Sequence, residues 1–211
     1  MRRLSILCLI VAVASLTAFS QATTQPSGQS KCTLTSNQSP TIRGIRLGSS
    51  TEQVLTLFPG SREKPDVKSA LEATERSPNY GVVRLSFQPF YYPSPAKEAF
   101  AGIDFYSVTL FDDRVTEISV RYNGSGSYPK GPFWRSVDDF IAKLSGAYNL
   151  PNAKDWEGTS DTRSLRCADF VIVASTSSGA GTVEVHNRSY TEKVKERAVT
   201  EEEKMRREFK P

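Results

Sequence analysis

Few residues of this 211-residue sequence could carry out acid–base or metal chemistry. His186 is the single histidine, and both hydrolytic triads and zinc sites depend on imidazole together with further ligands or partners. It shares an alternating segment with Val183 and Val185 but falls on the face opposite to them. The pattern therefore predicts an exposed strand residue with no functional partner.

Two pairs of adjacent acids, Asp112-Asp113 and Asp138-Asp139, are the remaining candidates for acid–base catalysis. Paired carboxylates act as acid and base when their environments separate their pKa values. Sequence neighbours do not generally face one another. We expect the first pair in a turn and the second in a first helical turn, where acids favour the helix dipole. The sequence predicts no catalytic residue, no metal site and no cofactor.

Aromatic residues beside prolines offer a binding surface instead. Residues 89–95 and 128–134 combine aromatic rings with proline in segments between predicted elements. Stiff loops lose little entropy on binding, and tyrosine and tryptophan dominate interface energetics. The alternative is that these rings fold back onto the core. The candidate binding residues are Tyr91, Tyr92, Phe133 and Trp134.

The three cysteines indicate one disulfide. Cys8 falls in a segment that is expected to be removed, which leaves Cys32 and Cys167. In an oxidising compartment a bridge between two remaining cysteines is the default. A disulfide between Cys32 and Cys167 is therefore predicted.

The N-terminus has the three-part layout of a secretory signal. Arg2 and Arg3 precede an apolar run over 4–16, and small residues follow at the spacing that signal peptidase requires. The run is shorter than the ~20 apolar residues of a spanning helix. We expect a signal peptide over 1–22 and a periplasmic or secreted protein with no stable membrane insertion. Loss of the two arginines lowers the formal net charge from +4 to +2, which gives no case for nucleic-acid binding.

The elements of the first half follow from caps and periodicity. A polar, disordered lead-in is expected over 23–30, and a short strand over 31–35. A capping box at Ser49 or Ser50 begins a helix that Pro59-Gly60 ends. The remaining expectations are a helix over 65–75 and strands over 83–88, 106–111 and 117–122.

The order of elements then repeats. A Gly-, Ser- and Pro-rich linker over 123–132 precedes a helix beginning at Ser136. Strands follow over 163–167, 170–174 and 182–187. We predict an α+β fold with helices packed on one face of an antiparallel sheet. It is either a tandem duplication of a helix-plus-three-strand unit, divided into 31–124 and 125–190, or one continuous domain.

The tail over 191–211 is mostly charged and predicts a solvated helix with a capping box at Thr200 and Glu203. Docking of this helix against a partner is the alternative.

Two segments resemble a known superfamily. Residues 44–54, Gly-Ile-Arg-Leu-Gly-Ser-Ser-Thr-Glu-Gln-Val, resemble the helix start of SmpA/OmlA outer-membrane assembly lipoproteins, whose superfamily includes the β-lactamase inhibitor protein. Residues 108–118 are similar to the strand pair that follows that helix. The resemblance implies helices on one face of an antiparallel sheet, a unit that is doubled in the inhibitor, and function by binding other proteins. The lipidated cysteine of the assembly lipoproteins has no counterpart. The overall pattern also resembles exported bacterial proteins, a likeness that carries no function.

These observations favour an exported protein-binding module of the bacterial envelope, acting in assembly or inhibition, whose partner is another protein. The alternatives are a secreted carboxylate-dependent hydrolase of glycans and a carbohydrate-binding module. Two acids facing each other across a cleft would favour the hydrolase. A flat row of exposed rings would favour sugar binding, and an aromatic patch with a polar rim would favour a protein partner.

Overall fold

The computed structural model describes residues 32–76, 80–122 and 133–209. The predicted signal peptide, lead-in and linker lie outside these ranges. The described helices are α1 (Thr51–Thr56), α2 (Pro65–Arg76), α3 (Ser94–Ala99), α4 (Val137–Tyr148) and α5 (Tyr190–Glu208). The described strands are β1 (Val82–Phe87), β2 (Ile103–Phe111), β3 (Arg114–Tyr122), β4 (Glu157–Gly158), β5 (Thr162–Arg166), β6 (Phe170–Ser177) and β7 (Ala180–Asn187).

The strands form one antiparallel sheet of order β1-β2-β3-β7-β6-β5-β4. It consists of two meanders, β1–β3 and β5–β7, whose last strands pair with each other at the centre. Each meander is preceded by a helix, and α2, α3 and β4 are additions to that plan. The predicted α+β fold is confirmed, and its two halves share a continuous sheet.

Helix starts follow the predicted caps. The Ser50 hydroxyl accepts from the Gln53 backbone N–H at 3.3 Å, and the Gln53 side chain accepts from the Ser50 N–H at 2.8 Å. The Ser136 hydroxyl accepts from the Asp139 N–H at 3.2 Å, which begins α4. These bonds satisfy backbone donors that a helix start leaves without partners.

The core of the first half lies between the sheet and α1–α3. Phe58, just after α1, stacks on Phe87 of β1, with ring centroids 4.0 Å apart, and lies 4.6 Å from Phe100. Beneath them, the buried Tyr106 hydroxyl donates to the Ile42 carbonyl at 3.1 Å. This bond fixes the turn that precedes α1 on the sheet.

The core of the second half lies between the sheet and α4. Phe140 is fully buried and contacts Tyr122 edge-on at 5.6 Å between centroids. A Cβ built on Gly181 would lie 2.9 Å from the Phe140 ring, which is closer than real Cβ contacts. The absence of a side chain at Gly181 is what allows α4 to approach β7.

The segment before α1 is held by the disulfide. The strand predicted over 31–35 is wrong over its described part, 32–35, where the Leu34 carbonyl accepts a backbone hydrogen bond from Ala168 at 3.0 Å. Cys32 and Cys167 are bridged as predicted, with Cα atoms 4.5 Å apart and both side chains buried. The bridge anchors this segment to the turn between β5 and β6.

Two helices depart from the sequence expectations. Helix α3 lies in a proline-rich segment that was expected to be a loop. Pro95 lies in its first turn, where backbone N–H groups have no partner within the helix, so proline breaks no hydrogen bond there. The capping box predicted at Thr200 is wrong. Thr200 lies inside α5 and donates its hydroxyl to the Glu196 carbonyl at 2.9 Å.

Helix α5 is solvated, as predicted, in that none of its residues is buried. Its first half nevertheless contacts the sheet. The Tyr190 and Phe111 rings meet edge-on at 5.8 Å, and Arg197 Nη2 donates to Asp112 Oδ2 at 2.6 Å. Among the described helices, none combines the length and hydropathy needed to cross a bilayer.

Candidate functional site

The four aromatic residues predicted as a binding surface do not share one environment. Tyr91 and Phe133 are exposed, at 70% and 58%. Tyr92 is buried, with its ring 5.2 Å edge-on from Phe58, so the expectation of an exposed ring at Tyr92 is wrong. Trp134 is half-buried against the core.

The two exposed rings lie at the same end of the sheet but not side by side. Tyr91 follows β1, and Phe133 precedes Trp134, whose backbone N–H donates to Gly179 in the β6–β7 turn at 3.2 Å. Three strand spacings, about 14 Å, separate β1 from β7. These rings therefore do not form the flat row that stacking on a sugar chain would require.

A larger surface is the side of the sheet away from α1–α4, here called the open face. On β1, β6 and β7, the side chains of one face are mostly buried and those of the other face are half-buried or exposed. On β2 and β3, the small open-face side chains of Ser107, Thr109 and Ser119 are also buried. The strand register arranges the open face in three rows. The first row is Arg84, Thr109, Glu117, His186, Val171 and Arg166. The second is Ser86, Ser107, Ser119, Glu184, Val173 and Ser164, and the third is Phe105, Arg121, Thr182, Ser175 and Thr162.

A hydrogen-bonded ion cluster lies at the centre of the open face, where β3 pairs with β7. His186 Nδ1 is 3.8 Å from Glu117 Oε2, and its Nε2 is 3.3 Å from Glu184 Oε2. The Thr109 hydroxyl donates to Glu117 and the Ser119 hydroxyl to Glu184, both at 3.4 Å. The cluster links both meanders of the sheet.

The electrostatics of this cluster follow from its contacts. The carboxylates of Glu117 and then Glu184, which lie beside the imidazole, raise the pKa of His186 to about 9, against a smaller opposing effect of burial. Bonding to His186 lowers the pKa of both carboxyls. At neutral pH all three groups are charged, with a net charge of −1. The prediction that His186 lies on the face opposite the valines is confirmed, and the prediction that it has no partner is wrong.

This arrangement does not suit glycan hydrolysis. A glycosidase needs one carboxylic acid whose raised pKa keeps it protonated beside a second that is ionised. Glu117 and Glu184 are both shifted downwards, and a cation lies between them. Within the described residues, no group of three or more His, Cys, Asp or Glu side chains is arranged to hold a metal ion.

The adjacent acid pairs have structural contacts, as expected from their positions. Asp112 binds Arg197 of α5, and Asp113 accepts from the backbone N–H of Thr51 at 3.3 Å. Asp138, in the first turn of α4, lies 3.2 Å from Arg163 of β5. The two pairs lie on different elements and do not come together in one site.

Sequence reasoning missed the residues that line the open face. Alternation places Ser86, Ser107 and Ser119 on the polar side of their strands, and that much is visible in the sequence. Their alignment across three neighbouring strands depends on the register, and so does the pairing of Glu117 with His186. No local pattern specifies the register between β3 and β7, because Ser119 and its partner Glu184 are 65 positions apart along the chain.

Trp134 lines a second feature, here called the aromatic cleft, on the helix side of the sheet. Its volume is about 440 Å³, and its walls come from β3, α4 and the turn before α1. The residues that line it include Arg43, Tyr122, Trp134, Phe140, Lys143 and Tyr148.

Comparisons with known proteins do not assign either surface. The resemblance of residues 44–54 and 108–118 to the assembly lipoprotein superfamily stays a prediction. No family model, curated protein or solved structure matches this chain significantly.

Proposed function

We propose that this chain is an exported protein-binding module of the bacterial envelope and that the open face is its interface. Export is supported by the signal-like N-terminus and by the buried bridge between Cys32 and Cys167, which is a feature of proteins in oxidising compartments.

The observation that carries the proposal is the extent of the open face. Six strands, β1–β3 and β5–β7, span about 24 Å at the usual strand spacing, and five or six residues along each strand span about 18 Å. Helices α1–α4 pack on the other side, and α5 contacts this side at Phe111, near one end of β2. These dimensions give about 430 Å² in projection, about half of the ~800 Å² that each partner contributes to a standard protein interface, so a partner of standard interface size also contacts the rim of the sheet.

The composition of the open face suits a protein partner. Phe105, Val171 and Val173 give half-buried apolar area, and hydroxyl side chains lie between them and the charged groups. The ionised cluster around His186 is already hydrogen-bonded within the sheet, so a partner can cover it without leaving its charges unpaired. Arg121, held by Asp104 at 2.9 Å, adds a positive charge on the rim. Mixed charges of this kind give specificity and orientation more than raw affinity.

The two alternatives lack this support. The hydrolase needs a protonated acid that the open face does not provide, and the separation of the exposed rings does not favour a sugar-stacking platform.

The test is site-specific photocrosslinking in the native envelope. A photoreactive residue replaces Thr182 or Arg121 on the open face, and a matched chain carries it at Lys68, which is exposed on α2. We expect a discrete adduct with one protein from the open-face positions and none from the α2 position. Adducts that are equal from all positions, or absent from the open face, would contradict the proposal.

Affinity measured with the captured protein then locates the interface. Charge reversal by Arg121→Glu should weaken binding about 10-fold or more, which corresponds to at least about 1.4 kcal/mol. Lys68→Glu should leave the affinity unchanged. Because Arg121→Glu also removes the ion pair with Asp104, the affinity is measured well below the unfolding temperature of that variant.

A further inference from the structure

We propose that the aromatic cleft is a second binding site, separate from the open face, for a small carboxylate attached to an aromatic or sugar ring. The site is built from α4, from the end of β3 and from the turn before α1. Its volume of about 440 Å³ falls within the ~300–1,000 Å³ of ligand pockets in proteins.

The walls of the cleft are aromatic. The Trp134 ring lies 5.0 Å from Phe140 at an angle of 52°, and Tyr122 meets the same Phe140 ring edge-on. Phe140 is fully buried behind them, so the rings that a ligand can contact are those of the half-buried Tyr122, Trp134 and Tyr148. Ring faces of this kind favour a flat, largely apolar body, whether an aromatic ring or the face of a sugar.

One buried donor in the cleft has no partner. The indole Nε1 of Trp134 is inaccessible to solvent and forms no hydrogen bond in the part of the chain that the structure describes. A buried N–H without an acceptor is unfavourable, and tryptophan in a core usually has a partner for its N–H. Because this nitrogen is inaccessible to a water-sized probe, an acceptor on a ligand in the cleft reaches it only when the Trp134 ring turns.

The charged residues at the cleft indicate that the ligand carries a negatively charged group. Arg43 and Lys143 line the cleft, and no Asp or Glu is among its described lining residues. Tyr122 also lines the cleft, and burial, followed by its neighbour Tyr148, raises the pKa of Tyr122 above the ordinary value of 10. Tyr122 therefore remains a protonated donor at neutral pH. Two cations and neutral donors, without a competing carboxylate, favour an anion.

Arg43 is held in place by its backbone and by its side chain. Arg43 and Gly44 both have positive φ, 52° and 93°, in a tight turn closed by two backbone bonds between Ile42 and Ile45. A non-glycine residue in this region pays about 1 kcal/mol or more, and such positions concentrate at functional sites. The guanidinium Nη2 donates to the Ala101 carbonyl at 3.0 Å, which leaves its other N–H groups to bind a carboxylate.

The test is titration of the mature chain with two carboxylates that share this chemistry, indole-3-acetate and galacturonate. Each is paired with its neutral amide or parent sugar, indole-3-acetamide or galactose. Isothermal calorimetry should show saturable binding of at least one acid with a Kd of about 1 mM or tighter, equivalent to about −4 kcal/mol or stronger. Binding of the corresponding neutral compound should be at least about 10-fold weaker. Which acid binds distinguishes an aromatic ligand from an acidic sugar.

Variants assign the binding to the cleft. Arg43→Gln and Lys143→Gln should each weaken the acid about 10-fold, and Trp134→Phe, which keeps a ring but removes the N–H, should weaken it less. Lys68→Gln removes the same charge from an exposed position on α2 and should have no effect. Melting temperatures identify any variant that fails to fold, and the paired charge variants keep the test valid if one of them does.

Three results would overturn this proposal: no saturable binding of either acid, equal binding of the neutral compounds, or affinities that the cleft variants leave unchanged. The outcome is independent of the open face, because Arg121→Glu should not alter acid binding.

Discussion

At the scale of single residues, His186 shows how far side-chain chemistry depends on neighbours distant in sequence. The local sequence Val183-Glu184-Val185-His186 indicates which face the histidine occupies. Glu117, its partner, is directly opposite in the register between β3 and β7, and that pairing brings together residues 69 positions apart. The sequence predicts the face correctly but not the partner, and the partner determines the charge.

The first prediction concerns the contribution of His186 to stability. Its pKa rises from 6.5 to about 9 on folding, so this contribution is fully present below pH 6.5 and is lost as the pH rises through 9. His186→Asn should lower the free energy of unfolding at pH 7 by about 1–2 kcal/mol, a value reduced from the full linkage because the side chain is 35% exposed. The difference between the variant and the parent chain should shrink towards pH 10. Urea unfolding at pH 7, 8.5 and 10 measures it.

The charged neighbours of His186 define the lower limit of this pH window. Glu117 and Glu184 have lowered pKa values, so their contribution is present above about pH 4.5 and is lost as the pH falls below that. Arg84 favours the ionised form of Glu117, and Tyr190 lies near enough for Glu117 to raise its pKa. A difference between His186→Asn and the parent chain that stays constant from pH 7 to pH 10 would show that the ion cluster does not stabilise the fold.

At the scale of elements, helix caps and strand alternation are local signals, and they predict most of the fold correctly. Ser50 and Ser136 begin helices where expected because the cap is a contact between residues three apart. Helix α3 and the true start of α5 were missed because neither has a side-chain cap. Helix α5 is held by a tertiary contact instead of a cap, through the bond from Arg197 to Asp112.

The second prediction tests how α4 packs on the sheet. It uses two glycine substitutions that are expected to change the free energy of unfolding in opposite directions. Gly181→Ala places a Cβ 2.9 Å from the Phe140 ring, so it should destabilise the protein by about 1–3 kcal/mol through overpacking. Gly146 lies on the exposed side of α4, and a Cβ added there would have no atom within 4 Å. Gly146→Ala should stabilise the protein by about 0.5–1 kcal/mol through helix propensity.

Urea unfolding of both glycine variants at one pH provides the comparison. Because each change adds a single methyl group, a general effect of added volume would move both in the same direction. If Gly181→Ala is as stable as the parent chain, then α4 does not approach β7 as closely as the structure has it.

At the scale of the whole molecule, two similar halves share one sheet because the last strands of their meanders pair with each other. A sequence can suggest a repeated order of elements, as it does here, but the joining of β3 to β7 is set by contacts between residues 117–122 and 181–186. The open face exists only through that joining, since neither meander alone has more than four strands. The candidate interface is therefore a property of the assembled chain, and sequence reasoning placed the binding surface in loops instead.

The third prediction concerns the disulfide that crosses between the halves. Cys32 lies at the start of the first half and Cys167 in the second, 135 residues later. Closing a loop of this length removes entropy from the unfolded chain, and the chain-entropy model gives a stabilisation of about 5 kcal/mol. Removing a native disulfide from a small secreted domain typically lowers stability by about 2–5 kcal/mol. The double variant Cys32→Ser, Cys167→Ser should lose about 3–5 kcal/mol in urea unfolding. It should keep the circular dichroism of the sheet, because the β3–β7 pairing does not depend on the bridge.

Addition of dithiothreitol should bring the parent chain to the stability of the variant and leave the variant unchanged. Equal stability of the oxidised parent and the variant would mean that the bridge constrains nothing that the sheet does not already hold.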